Sequence, residues 1–114
     1  MPSTEIDMTT FEELKQMSGE DFIGELIDTF LEDGPKLISE MKSSMESGDA
    51  DVFRRAAHSF KSNSATFGAN RLSLLAKELE TLGREKKLGE IGSRLDTLEA
   101  AYGVVAKELT ELKE

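Results

Sequence analysis

The chain of 114 residues holds one histidine, His58, in the stretch RRAAHSFKSNSATFGA at residues 54–69. A neutral imidazole is a nucleophile near pH 7. Lys61 lies one helical turn further on and can hold the oxygens of a phosphoryl group carried by the ring. The chemistry that suits these two residue types at this spacing is phosphoryl acceptance. Other histidine chemistries lack their parts. With one histidine and no cysteine, a metal site would rest on carboxylates, and none stands four residues to either side of His58. The sequence has no nucleophile elbow for a Ser-His-Asp triad. It also has no Walker loop or glycine-rich phosphate cradle with which to activate ATP. A phosphohistidine here would have to be formed by one protein and passed to another.

The direction of the imidazole follows from helical geometry. At about 100° per residue, Phe53, Ala57, Phe60, Ser64 and Phe67 fall on one side of a helix, which must face a core. His58 lies about 140° around from the centre of that stripe. Its neighbours at i−4, i+3, i+4 and i+7 are Arg54, Lys61, Ser62 and Ala65. The reading is an outward imidazole surrounded by Arg54, Arg55 and Lys61, with Ser62 and Ala65 too small to shield it and forming a flat centre for a partner. The plainer alternative is a helical adaptor on which His58 is an idle, solvated side chain. Phosphate on His58, stable to alkali and labile to acid, separates the two.

The elements that must position His58 read as helices throughout. Ala, Leu, Glu, Lys and Met are plentiful, prolines number two, and alternating β-branched runs are missing. Thr10 with Glu13 reads as a capping box opening a helix of about two turns across Phe11, Leu14 and Met17. Ser18 with Asp21 repeats the signal for a long second helix. Its apolar positions come in pairs at Phe22/Ile23, Leu26/Ile27, Phe30/Leu31, Leu37/Ile38 and Met41/Met45. The stripe stays in phase through Gly34-Pro35, which predicts one kinked helix rather than two. Asp49 is the expected N-cap of a third helix over 50–66, closed by Gly68 in the left-handed conformation. A fourth, NRLSLLAKELETLGREKK, should bury Leu72, Leu75, Leu79 and Leu82. After a loop near Leu88-Gly89 a fifth carries the seam Ile91, Leu95, Leu98, Tyr102, Val105, Leu109 and Leu112, read as bundle core before coiled coil. The fold expected is all-α, an antiparallel up-down four-helix bundle with a short additional N-terminal helix, in a single domain spanning 1–114 with its core at about 12–112.

Bulk properties narrow the partners. Twenty-three acidic side chains against 14 basic ones give a formal net charge of −9, which argues against nucleic acid. The lack of cysteine excludes disulfides and thiolate chemistry, and the apolar runs are too short to span a membrane. MPSTEIDMTT has neither the basic nor the hydrophobic segment of a secretory signal. A cytoplasmic domain is expected, either native at its start or cut from a larger chain. REKK at 84–87 reads as a solvated helix end, and the five methionines as core filler or start residue.

Taken together, AAHSFKSNSATFGANRLSLLAKELETLGR resembles the histidine-containing phosphotransfer (HPt) domain of multistep phosphorelays. The pattern is a His, a Lys three later, small residues, and a Gly ten after the His; here these are His58, Lys61, Ser64-Ala65 and Gly68. FLEDGPKL and SGDADVFRRAAHS extend the resemblance to about residues 12–112. The resemblance implies that His58 takes a phosphoryl group from a receiver-domain aspartyl phosphate and gives it to an aspartate of another receiver, with Lys61 the cation beside it. Glu80 matches a position near the imidazole, Arg84 a second cation near the active face, and Gly68 the helix end. It implies a phosphocarrier without an autokinase module, acting as a monomer. Its partners would be response-regulator receivers and, as a candidate, a hybrid sensor histidine kinase. The chain would need no cofactor of its own, Mg²⁺ belonging to the receiver. Ser62 and Asn63 depart from the Gly and Ser that many members carry after the lysine.

Overall fold

Amphipathic stripes become helices wherever the apolar period is 3.6, and the chain uses that solution throughout. Its structure, a computed structural model, describes residues 5–113. Five helices follow one another: α1 Met8–Ser18, α2 Glu20–Ser47, α3 Ala50–Thr66, α4 Asn70–Arg84 and α5 Arg94–Lys113, with one 3-10 turn at Leu88–Glu90. No strand occurs among the described residues. The chain is all-helical. Helices α2 and α3, α3 and α4, α4 and α5, and α2 and α5 pack on one another, α3 against α4 most extensively, while α1 lies against α2 and α3. Phe53, Phe60, Ile27, Met41, Leu72, Leu79, Leu98 and Leu109 form the centre of one core.

Helix starts differ from the sequence expectation at two places. α1 begins two residues before Thr10 because Asp7 is its N-cap, its carboxylate accepting from the N–H groups of Thr9 and Thr10. Ser18 does not open α2; it closes α1, its hydroxyl donating to the Leu14 carbonyl. Gly19 separates the two helices with φ 93° and ψ 148°, a conformation open to glycine alone. Asp49 does cap α3, accepting from Val52 N–H at 3.1 Å. Gly68 follows α3 with φ 78°, its N–H donating to Ala65 O and the N–H of Ala69 to Ser64 O, the paired bonds of a Schellman end.

The Gly34-Pro35 pair sits inside α2 without splitting it. Proline has no N–H, so the Leu31 carbonyl, four residues back, loses its intrahelical donor. Tyr102 of α5 replaces it: its hydroxyl donates to Leu31 O at 3.4 Å. A Cβ at position 34 would overlap the Tyr102 ring, so Gly34 is the gap through which α5 reaches the carbonyl that Pro35 leaves open. The ring is further held by Phe30 and Phe60, with centroids 5.6 and 5.7 Å away. Gly34→Ala is therefore expected to destabilise the fold by about 1–3 kcal/mol through overpacking. This would appear as a lower urea midpoint at unchanged m. An unaltered midpoint would mean that Tyr102 does not pack over Gly34.

Side-chain burial corrects the stripes at their ends. Phe22, Met17 and Leu112 are exposed, and Leu75 and Leu82 are only half-buried while Ala76 and Gly83 lie inside. Of the methionines expected as core filler, Met41 is fully buried, but Met8 and Met17 face solvent; Met1 lies outside the described residues. Ile91 is buried ahead of α5 rather than within it. α4 stops at Arg84, closed by Lys86 at φ 59°. Ile6, outside any predicted element, is buried beneath a strap in which Asp7 N–H donates to Gly68 O at 2.8 Å and Glu5 N–H to Glu108 Oε1 at 2.8 Å. No helix among the described residues is long and apolar enough to cross a membrane.

Candidate functional site

The site is built on the α3–α4 pair. Phe53, Ala56, Ala57, Phe60 and Ser64 are the buried face of α3, which leaves His58 on the far side, its side chain 55% exposed. α4 lies close because of Gly83, where a Cβ would stand 3.2 Å from the Arg54 backbone and 3.1 Å from the Phe53 ring. The Ser73 hydroxyl ties the pair together further along, donating to Lys61 O at 3.1 Å. This approach brings Glu80, one turn before Gly83, beneath the imidazole.

Glu80 is 4% exposed and ionised, and a buried carboxylate survives only if paired. Both its oxygens are engaged. Oε1 accepts from Lys61 Nζ at 2.7 Å, and Oε2 lies 2.7 Å from His58 Nδ1 and 3.4 Å from Arg84 Nη2. Burial pushes the Glu80 carboxyl upward, but the hydrogen bonds from Lys61 and His58 outweigh it and hold it below the ordinary glutamate value. An ionised carboxylate only accepts, so the proton between the two groups sits on Nδ1. In the neutral ring this leaves the lone pair on the other nitrogen, Nε2.

The structure thus brings together four residues that the sequence singled out: His58, Lys61, Glu80 and Arg84. Ser62 and Ala65 are exposed on the face of α3 that carries His58, and Gly68 lies at the helix end. Arg54 and Arg55, four and three residues before His58, are both paired with Asp51. Arg54 Nη2 bonds Asp51 Oδ1 at 3.0 Å, and Arg55 Nε lies 3.7 Å from Asp51 Oδ2. The cations joined to the imidazole, through Glu80, are Lys61 and Arg84. Sequence reasoning passed over Asp51 and Gly83; the one available signal was Asp51 at i−3 and i−4 from two arginines. Among the described residues, no group of three or more His, Cys, Asp or Glu side chains is arranged to hold a metal ion.

An exposed imidazole backed by a buried carboxylate and a lysine, on an all-helical scaffold, invites comparison with known proteins. Residues 25–114 match the family model of the Hpt domain. The chain belongs to the Hpt-domain family. This Hpt domain is similar throughout to the crystal structure of histidine-containing phosphotransfer protein B (HptB) from Pseudomonas aeruginosa PAO1. The TM-score is 0.91 at 27% identity, over 98% of this chain and 96% of that one. No curated protein matches the sequence. The family model begins within α2, whereas the likeness to HptB takes in α1 as well. Hpt domains are phosphocarrier modules, not kinases, and they interact with receiver domains and kinases in phosphorelays. The chain is a phosphotransfer intermediate of that kind.

Proposed function

We propose that His58 is the phosphoryl carrier and that its Nε2 takes the group from an aspartyl phosphate on a receiver domain and delivers it to the aspartate of a second receiver. The observation that carries this reading is the 2.7 Å contact of His58 Nδ1 with the buried Glu80 carboxylate. With Nδ1–H donating to Glu80, the Nε2 lone pair is free to attack phosphorus. As the N–P bond forms, the P–O bond to the receiver aspartate breaks and that carboxylate leaves with the electron pair. The ring becomes a phosphoimidazolium, and Glu80 sits where the new positive charge is best compensated. The return step reverses each bond change. Lys61 and Arg84, joined to His58 through Glu80, are the cations that would meet phosphoryl oxygens, and the small, exposed Ser62 and Ala65 would leave room for the partner's surface. Arg54 and Arg55 form the basic margin of the same docking face, and Gly68 fixes the end of its helix. The four long helices run up and down as a monomeric bundle with α1 laid across it, consistent with their short connections and with the pairwise packing of α2 to α5. The domain brings no cofactor of its own, Mg²⁺ being carried by the receiver, and a hybrid sensor kinase is a fitting donor.

The test is transfer itself: receivers charged with acetyl phosphate are mixed with the protein and the chain is assayed for alkali-stable, acid-labile phosphate. Transfer within seconds is expected, with no label from ATP alone. Failure with every receiver of the source genome would favour the adaptor alternative. Lys61→Ala should slow transfer by about tenfold to a hundredfold, the worth of a charge-assisted contact of roughly 1.5–3 kcal/mol. Helix content by circular dichroism should not change. An unaltered rate in both directions would make Lys61 a support for Glu80 alone.

A further inference from the structure

The two carboxylates among the cations of the His58 face differ in how firmly they are held. Glu80 is buried and locked by three partners. Asp51 is 69% exposed, at the start of α3, and its carboxylate holds Arg54 and Arg55 together. The hydrogen bond from Arg54 and then its charge depress the Asp51 carboxyl, with Arg55 and Lys86, in the turn after α4, adding to the effect. Asp51, Arg54 and Arg55 stand seven, four and three residues before His58, so all three lie on its side of the helix within two turns.

We propose that Asp51 determines partner specificity by competing with the receiver's own carboxylates for Arg54 and Arg55. This rests on the reading that receivers dock over His58. The chain carries a net charge of −9, so an acidic partner is repelled at long range unless cations near the site reverse the local field. Lys61 and Arg84, both bonded to Glu80, are the cations assigned to the phosphoryl group rather than to the partner's surface. Arg54 and Arg55 are the adjustable pair, because an exposed ion pair is weak and exchanges readily for a better acceptor. A receiver with a strongly acidic face draws both guanidinium groups away from Asp51, whereas a weakly acidic one meets them already neutralised. Asp51 thus subtracts most from the partners that must displace it, those whose docking depends on Arg54 and Arg55, which is discrimination by an unfavourable element rather than by a new contact.

The test uses Asp51→Asn, which keeps shape and removes charge, with Glu111→Gln as a control of equal charge change at an exposed position on α5. Single-turnover kcat/KM is measured for a panel of acetyl-phosphate-charged receivers across ionic strength. Asp51→Asn should raise kcat/KM about three- to tenfold at low salt, most for the most acidic receivers, the variant and wild type converging at high salt. Adding Arg54→Ala and Arg55→Ala should erase the gain. Equal salt slopes for wild type and Asp51→Asn, or an equal gain from Glu111→Gln, would overturn the proposal while leaving His58 as the carrier. A wild-type protein that accepts phosphate from no receiver would overturn both.

Discussion

His58→Gln yields a protein that folds like the wild type and holds no phosphate. The side chain is more than half exposed and makes one hydrogen bond, to Glu80, so its replacement opens no cavity. Glutamine can keep that bond by turning its amide N–H₂ toward the Glu80 oxygen, so the buried carboxylate stays paired. What is lost is the ring nitrogen with a free lone pair, and no other side chain in the chain supplies one, since His58 is the single histidine. The expected loss is complete within detection. It is read as labelled phosphate after incubation with a charged receiver, with thermal unfolding as the folding control. Label at the wild-type level on the variant would remove His58 from the chemistry altogether.

The second large effect belongs to Glu80. It accepts from Lys61 and meets His58 Nδ1, and in the mechanism proposed above it also holds the Nδ1 proton and compensates the phosphoimidazolium. Glu80→Gln preserves shape but neutralises the group, and transfer should fall about tenfold to a hundredfold, the range of a charge-assisted hydrogen bond. Glu80→Ala should fall further, since the imidazole is then free to rotate and to take either tautomer. A stability consequence accompanies the kinetic one. The folded-state pKa of Glu80 lies below its ordinary value of 4.5, so the ionised form contributes stability above that value. The contribution is lost as pH falls through the lower, folded-state pKa. Wild type should therefore exceed Glu80→Gln in urea midpoint at neutral pH, and the two should converge in acid. A difference that persisted unchanged at low pH would assign the effect to packing rather than to charge.

How far the sequence carried this picture depended on the range of each interaction. The face of α3 was legible because its period of 3.6 is a local property, and every member of the stripe Phe53, Ala57, Phe60, Ser64, Phe67 is buried. Glu80 was not legible that way. It reaches His58 from another helix, 22 residues on, and the register between α3 and α4 depends on the close approach at Gly83, which no periodicity reveals. Only the family resemblance pointed to it. Pro35 was read as a kink on local grounds, whereas the donor that satisfies Leu31 O comes from Tyr102, 71 residues away. Thr10 and Asp7 are both good caps, and the choice fell to Asp7 because Ile6 is buried and the Asp7 N–H is held by Gly68 O. The exposed ends of the stripes, Phe22 and Leu112, have the same cause: period says which side a residue faces, not whether a neighbouring helix extends far enough to cover it.

The most direct measurement is nitrogen-15 and phosphorus-31 NMR of the phosphorylated protein, which identifies the ring atom that carries phosphorus. The hydrogen bond of Nδ1 to Glu80 requires the phosphoryl group on Nε2 of His58, with Nδ1 still protonated and coupled to the carboxylate. Phosphorus on Nδ1, or on any residue other than His58, would contradict it.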